Sequence, residues 1–77
     1  MHRPHPRNTY EIKELTRKIF TGIPSEYRVP LALAEVDGMS YREIAEILKV
    51  SIETVRIRIF RCRVRLKKEL QRIGYPL

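Results

Sequence analysis

The amino-acid sequence predicts an all-α fold, namely a compact four-helix domain with a C-terminal helix-turn-helix. Apolar residues recur at helical spacing in four separate segments, and no segment alternates apolar and polar residues as a strand would. Proline, glycine or a capping serine stands between the segments. A length of 77 residues suits one domain. We assign residues 1–8 to a flexible arm or linker remnant, residues 9–74 to the domain and residues 75–77 to a tail.

The first helix is predicted to begin at Asn8 or Thr9 and to end at Gly22, since glycine commonly follows a helix C-terminus. Its apolar residues recur at helical spacing, which leaves the charged side chains outside. They are Ile12, Leu15, Ile19 and Phe20.

The second helix is predicted to open at Pro24–Glu26, with Ser25 as its N-cap, and to stop at Asp37-Gly38. Pro30 lies inside it and removes one intrahelical hydrogen bond, so we expect a kink or a distinct first turn. The expected buried residues are Tyr27, Leu31, Ala34 and, as a further candidate, Val36.

The third helix is short and has clear local signals. Ser40 and Glu43 have the spacing of a capping box, in which the serine caps forward and the glutamate reaches back. About two turns of helix follow, and Lys49-Val50 then turns the chain.

Ser51 is predicted to cap the last helix, with Glu53 in the first turn, where the helix dipole favours a carboxylate. Gly74 and Pro76 are predicted to end this helix. One unbroken amphipathic stripe runs along it. The stripe consists of Ile52, Val55, Ile59, Cys62, Leu66, Leu70 and Ile73.

The net charge of +7 is concentrated on the last helix. Residues 51–73 hold eight basic and two acidic side chains, whereas residues 1–50 hold eight basic and seven acidic ones. This asymmetry favours a polyanionic partner. The negative end of the helix dipole accounts for the late basic residues Lys67, Lys68 and Arg72. It does not account for the early ones, which we assign to function: Arg56, Arg58 and Arg61.

The outward face of the last helix has the layout of a helix that enters the major groove of DNA. The face opposite the apolar stripe carries Thr54, Ile57, Arg61, Val64 and Lys68. One flank carries Arg56 and Phe60, and the other carries Arg58 and Arg65. The crest can then meet base edges while the flanking arginines reach phosphates.

Two sets of residues have alternative interpretations. Ile57 and Phe60 are bulky and apolar on a face that should be polar, so they either contact bases or pack on the chain or a partner protein. Tyr41 and Arg42 are candidates for phosphate contacts at the N-terminus of the third helix. For Tyr41, packing under the turn is an equal alternative.

Catalysis, cofactors and metals are not indicated. His2 and His5 both lie in the arm, and no Ser-His-Asp, Cys-His or glycine-rich phosphate motif is present, so we expect no enzyme. Cys62 is the only cysteine, which excludes an intramolecular disulfide and fits a reducing cytoplasm. No apolar run could span a membrane, and no signal peptide is evident.

Three segments, residues 23–33, 38–45 and 54–63, resemble region 4 of bacterial sigma factors, and the likeness is greatest to the extracytoplasmic-function (ECF) group. The resemblance implies a four-helix domain that recognises the −35 element of promoter DNA in the major groove. It also implies docking on the beta-subunit flap of RNA polymerase, and masking by an anti-sigma factor.

The resemblance also implies roles for individual residues. It implies base contacts by Arg56, Ile57, Phe60 and Arg61. It implies phosphate contacts by Tyr41, Thr54 and Arg58, to which the helical layout adds Arg42 and Arg65.

The sequence departs from the family at three points. Ile57 stands where relatives often carry a small polar residue, and Glu53 replaces a common glycine. Region 2, which recognises the −10 element, has no counterpart in these 77 residues, so we expect an excised domain or a stand-alone protein.

Two other functions fit the same residues. Residues 51–56 also suit a stand-alone regulator of the response-regulator output type, although residues 24–33 argue against it. Alternatively, the first two helices serve as a module that binds a polymerase subunit or an antagonist, with DNA binding secondary.

Overall fold

The computed structural model describes residues 9–74. Four helices follow one another within this range: α1 (Thr9–Thr21), α2 (Ser25–Glu35), α3 (Tyr41–Leu48) and α4 (Ile52–Arg72). The predicted all-α class is therefore confirmed for the described residues. The predicted arm, the tail and the terminating Pro76 lie outside the described residues.

α4 is the central helix, and each of the other three helices packs against it. Its predicted stripe faces inward: Val55, Ile59 and Cys62 are buried, and the rest of the stripe is half-buried. α2 and α3 supply the facing core residues Leu31, Ile44 and Ala45, while Ile23 enters from the α1–α2 loop. The core thus packs against the first half of α4 and fixes the position of this part of the helix.

α1 packs more loosely than the other helices. Its predicted apolar face is half-buried along its length, and none of its residues is fully buried. Among the described helices it packs mainly against α4, and it ends at Thr21, just before the predicted Gly22. α1 therefore covers one side of the core.

α2 corrects two predictions. Ser25 is the first helical residue and makes no capping bond; Pro24 precedes it, and its carbonyl accepts from the N–H groups of Tyr27 and Arg28, each at 3.0 Å. Val36 is 81% exposed. The helix ends at Glu35, and Val36 points roughly 140° away from Leu31 at 100° per residue.

Pro30 is buried in the middle of α2, which continues across it from Ser25 to Glu35. The ring occupies a position in the core, so apolar packing offsets the hydrogen bond that proline cannot donate. At the end of α2, Gly38 adopts a φ of 64°, a left-handed conformation that suits glycine. This turn leads the chain into α3.

Capping bonds fix the start of each helix of the helix-turn-helix. The Ser40 N–H donates to Glu43 Oε1 at 2.8 Å, and the Glu43 N–H donates to Ser40 Oγ at 3.1 Å, which confirms the capping box. Lys49 closes α3 in the left-handed conformation, with a φ of 57°. Ser51 Oγ then accepts from the Thr54 N–H at 3.1 Å and caps α4 as predicted.

Candidate nucleic-acid interface

The outward face of α4 carries apolar side chains in contact with solvent. Ile57 is 48% exposed, Phe60 67% and Val64 37%. They lie on the side away from the buried Val55 and Ile59, as the helical spacing predicts. Neither Ile57 nor Phe60 is therefore buried within the described part of the chain, and both are accessible to a ligand or a partner.

The arginines of α4 differ in their partners. Arg56 Nη1 lies 2.5 Å from Glu53 Oε1, one turn earlier on the same helix. Arg61 and Arg65 are exposed, and no ion pair is seen for either within residues 9–74. These two guanidinium groups can therefore bind a phosphate or a base without first giving up a carboxylate.

Two further arginines of α4 connect it to α2. Arg63 Nη2 lies 2.6 Å from Glu35 Oε1, and this hydrogen bond raises the pKa of Arg63. Arg58 Nε lies 3.8 Å from Glu26 Oε1, and its side chain is only 25% exposed. The sequence predicted neither pair, because each partner lies on another helix and has no spacing relation to α4.

Tyr41 and Arg42, near the N-terminus of α3, differ in their exposure to solvent. Tyr41 is half-buried, packs against the core, and lies close enough to the Arg63 guanidinium to raise its pKa further. Arg42 is exposed and lines a shallow depression with Val50 and Ser51 at the turn. Tyr41 thus packs against the core, while Arg42 is exposed to solvent.

Thr54 lies at the start of α4 and is bound locally. Its hydroxyl and that of Ser51 are 2.9 Å apart, and its N–H donates to the same Ser51 oxygen. The α4 N-terminus therefore presents a hydrogen-bonded pair of hydroxyl groups beside Glu53, which is exposed.

Two open grooves flank α4. One, of about 330 Å³, has an apolar floor with basic side chains around it; it is lined by Tyr27, Phe60, Arg61, Val64, Arg65 and Lys68. The other, of about 470 Å³, lies between α1 and the second half of α4. Its lining includes Leu15, Ile19, Ile23, Arg65, Glu69 and Ile73. The sequence did not reveal the second groove, because it forms between segments about 50 residues apart in the chain.

The described residues offer no group of three or more His, Cys, Asp or Glu side chains that could hold a metal ion. Burial raises the pKa of the Cys62 thiol, so this cysteine is a poor nucleophile. None of the four helices is long and apolar enough to cross a membrane, within the part of the chain that the structure describes.

Comparisons with known proteins agree with this architecture. The family model described as Sigma-70, region 4, matches residues 14–66, more than half of the chain. The ECF RNA polymerase sigma-E factor of Escherichia coli (strain K12) is 36% identical over 61 residues, which cover 79% of this chain and 32% of that protein.

The protein of the same name from Haemophilus influenzae is 38% identical over 69 residues, which cover 86% of this chain and 36% of that protein. The chain thus spans about a third of the length of these relatives. Since the family model covers the helix-turn-helix and most of the chain before it, and the relatives cover more than two thirds of the chain, the chain belongs to the family of sigma-70 region 4 domains, in its ECF group.

Proposed function

We propose that this domain recognises the −35 element of promoter DNA and helps to recruit RNA polymerase there, as a binding domain and not an enzyme. The observation that carries the proposal is the exposed crest of α4, where Ile57 and Phe60 stand beside Arg56 and Arg61. Arginine suits guanine in the major groove, and apolar side chains suit the methyl group of thymine.

The contacts divide into two classes. Base contacts are assigned to the crest residues: Arg56, Ile57, Phe60 and Arg61. Phosphate contacts are assigned to residues around it: Tyr41, Arg42, Thr54, Arg58 and Arg65. The exposed Arg42 and Arg65 have the best support among these. Arg58 must exchange its Glu26 carboxylate for a phosphate, and Tyr41 and Thr54 would contribute through the hydroxyl groups at the two helix N-termini.

The groove between α1 and α4 supports a second interaction. Its lining combines the apolar Leu15, Ile19 and Ile23 with charged side chains, and it lies beside the second half of α4, outside the proposed base contacts. We assign it to the flap of the RNA polymerase beta subunit, so that one domain holds DNA and polymerase at once. An anti-sigma factor would act by covering the crest or this groove.

Random-site selection on duplex DNA tests the proposal, with the purified domain alone and together with the polymerase flap. A GGAAC-like motif should be enriched. Substitution of both Arg56 and Arg61 by alanine should abolish the enrichment while flap binding persists. If the selected duplexes show no enriched sequence although the domain binds the flap with normal affinity, that result would contradict DNA recognition.

The second candidate function is that of a protein-interaction module, and the α1–α4 groove favours it. This function predicts binding to a polymerase subunit or an antagonist that is insensitive to changes at Arg56 and Arg61. The response-regulator alternative is set aside, because the chain belongs to the sigma-70 region 4 family.

A further inference from the structure

Glu53 is an unexpected residue on the proposed DNA-binding helix. It is the one acidic residue in the first sixteen positions of α4, from Ile52 to Lys67, and its side chain is 73% exposed. A carboxylate there repels phosphates, so it opposes DNA binding in general. The helix dipole favours an acid in the first turn, but that benefit requires no particular partner.

Glu53 does have a particular partner, and that partner is a proposed base contact. Its Oε1 accepts from Arg56 Nη1 at 2.5 Å, across one helical turn. A guanidinium group carries five N–H donors in a planar fork, so four remain available when one is held. The pair is open to solvent, since the Arg56 side chain is 58% exposed, so the remaining donors are accessible to a ligand.

We propose that Glu53 is a positioning residue that sets base specificity, because it holds the Arg56 guanidinium toward guanine and away from the phosphates. The proposal rests on the proposed function, since it presumes that α4 recognises bases. A long arginine side chain without a partner can turn to whichever phosphate is near, and phosphate contacts carry no sequence information. The Glu53 carboxylate opposes this rotation of the Arg56 side chain in two ways, because it binds the guanidinium group and repels the phosphate.

Removal of the charge should therefore change two affinities in opposite directions. Glu53→Gln should tighten binding to a scrambled duplex by roughly twofold or more at low salt, because nonspecific binding follows charge. The ratio of specific to nonspecific affinity should fall by roughly fivefold or more, the lower end of what one bidentate arginine–guanine contact contributes. A residue that only stabilised the helix would lower both affinities together.

Glu14→Gln is the matched control. Glu14 lies on α1 and pairs with Arg17 at 2.8 Å with the same spacing of three residues, so the charge change and the pair type are equal. It lies outside the proposed base and phosphate contacts and does not line the α1–α4 groove. The affinity ratio should be unchanged in this variant.

A double-mutant cycle tests whether Glu53 acts through Arg56. Affinities for the selected duplex and a scrambled duplex are measured by fluorescence anisotropy for wild type, Glu53→Gln, Arg56→Ala and the double variant. In the Arg56→Ala background, Glu53→Gln should no longer lower the ratio. An unchanged ratio in Glu53→Gln, or an equal loss in both backgrounds, overturns the positioning role while promoter recognition stands. A wild-type domain that does not discriminate between the two duplexes overturns both.

Discussion

Replacement of Ile59 by alanine tests the helical phase on which every assignment on α4 depends. Ile59 is 1% exposed and belongs to the core that α4 shares with α2 and α3. If this phase is right, the change lowers the stability of the fold and removes no side chain from the proposed DNA-binding surface. If the phase is wrong, the residues assigned to the crest are core residues.

The expected loss follows from the burial of the side chain. Three buried carbon atoms disappear, which corresponds to about 2.4 kcal/mol at roughly 0.8 kcal/mol for each buried methylene group. An unfilled cavity of roughly 60 Å³ adds about 1.4 kcal/mol at ~24 cal/mol per Å³. A total of about 3–4 kcal/mol is a large part of the ~4–12 kcal/mol that a domain of this length possesses. The melting temperature should fall by more than about 10 °C.

Urea unfolding followed by circular dichroism at the helical band measures this loss, and Ile57→Ala is the matched control. Ile57 is the same residue type, two positions away, and 48% exposed, so its truncation should alter stability by less than about 0.5 kcal/mol. Binding to the selected duplex should instead weaken in Ile57→Ala. Equal stability losses in the two variants, or an Ile59→Ala protein as stable as the parent, would refute the phase.

Five other changes have defined outcomes. Arg61→Ala should cost roughly 1–3 kcal/mol on the selected duplex and relax base choice at one position, as competition with single-base variants of the site would show. Arg58→Ala should weaken all duplexes alike and reduce the salt slope by about one unit, whereas Glu26→Gln, which releases Arg58, should strengthen binding in a salt titration. Ser40→Ala should lower the unfolding free energy by roughly 1 kcal/mol, because α3 loses its cap. Hydrogen bonds from Ser40 lower the pKa of Glu43, so the stabilisation that Glu43 gives is present above its unfolded pKa and is lost as the pH falls through its lower folded pKa. The stability difference between wild type and Glu43→Gln, measured by urea unfolding against pH, should therefore narrow in acid.

Local signals were sufficient to predict the helix-turn-helix. Ser40, Glu43 and Ser51 cap the helices that they were predicted to cap, because a capping bond joins residues three apart and needs no tertiary context. The same rule failed at Ser25. There Pro24 occupies the N-cap position and Ser25 is already the first helical residue, so the serine side chain makes no capping bond.

The interactions between helices could not be predicted from the sequence. Arg58 and Arg63 were counted with the basic residues of α4, but their partners lie on α2, and the sequence separation for Arg63–Glu35 is 28 residues. Which side of α4 meets α2 depends on how the two helices cross, and charge patterns along one helix do not determine that crossing. The α1–α4 groove was missed for the same reason.

Because of its ion pairs, α4 has fewer basic side chains available for phosphates than its charge alone indicates. Residues 51–73 hold eight basic side chains, and four of them, Arg56, Arg58, Arg63 and Arg72, pair with carboxylates of the described chain. A basic side chain releases counterions from DNA only when it neutralises a phosphate, at a slope of about 0.9 for each contact. An arginine that must leave a carboxylate also leaves that carboxylate near the DNA, which offsets part of the gain. The salt dependence of binding should therefore be well below the value that eight phosphate contacts would give, and the domain's preference for a site should depend on the few side chains at the crest.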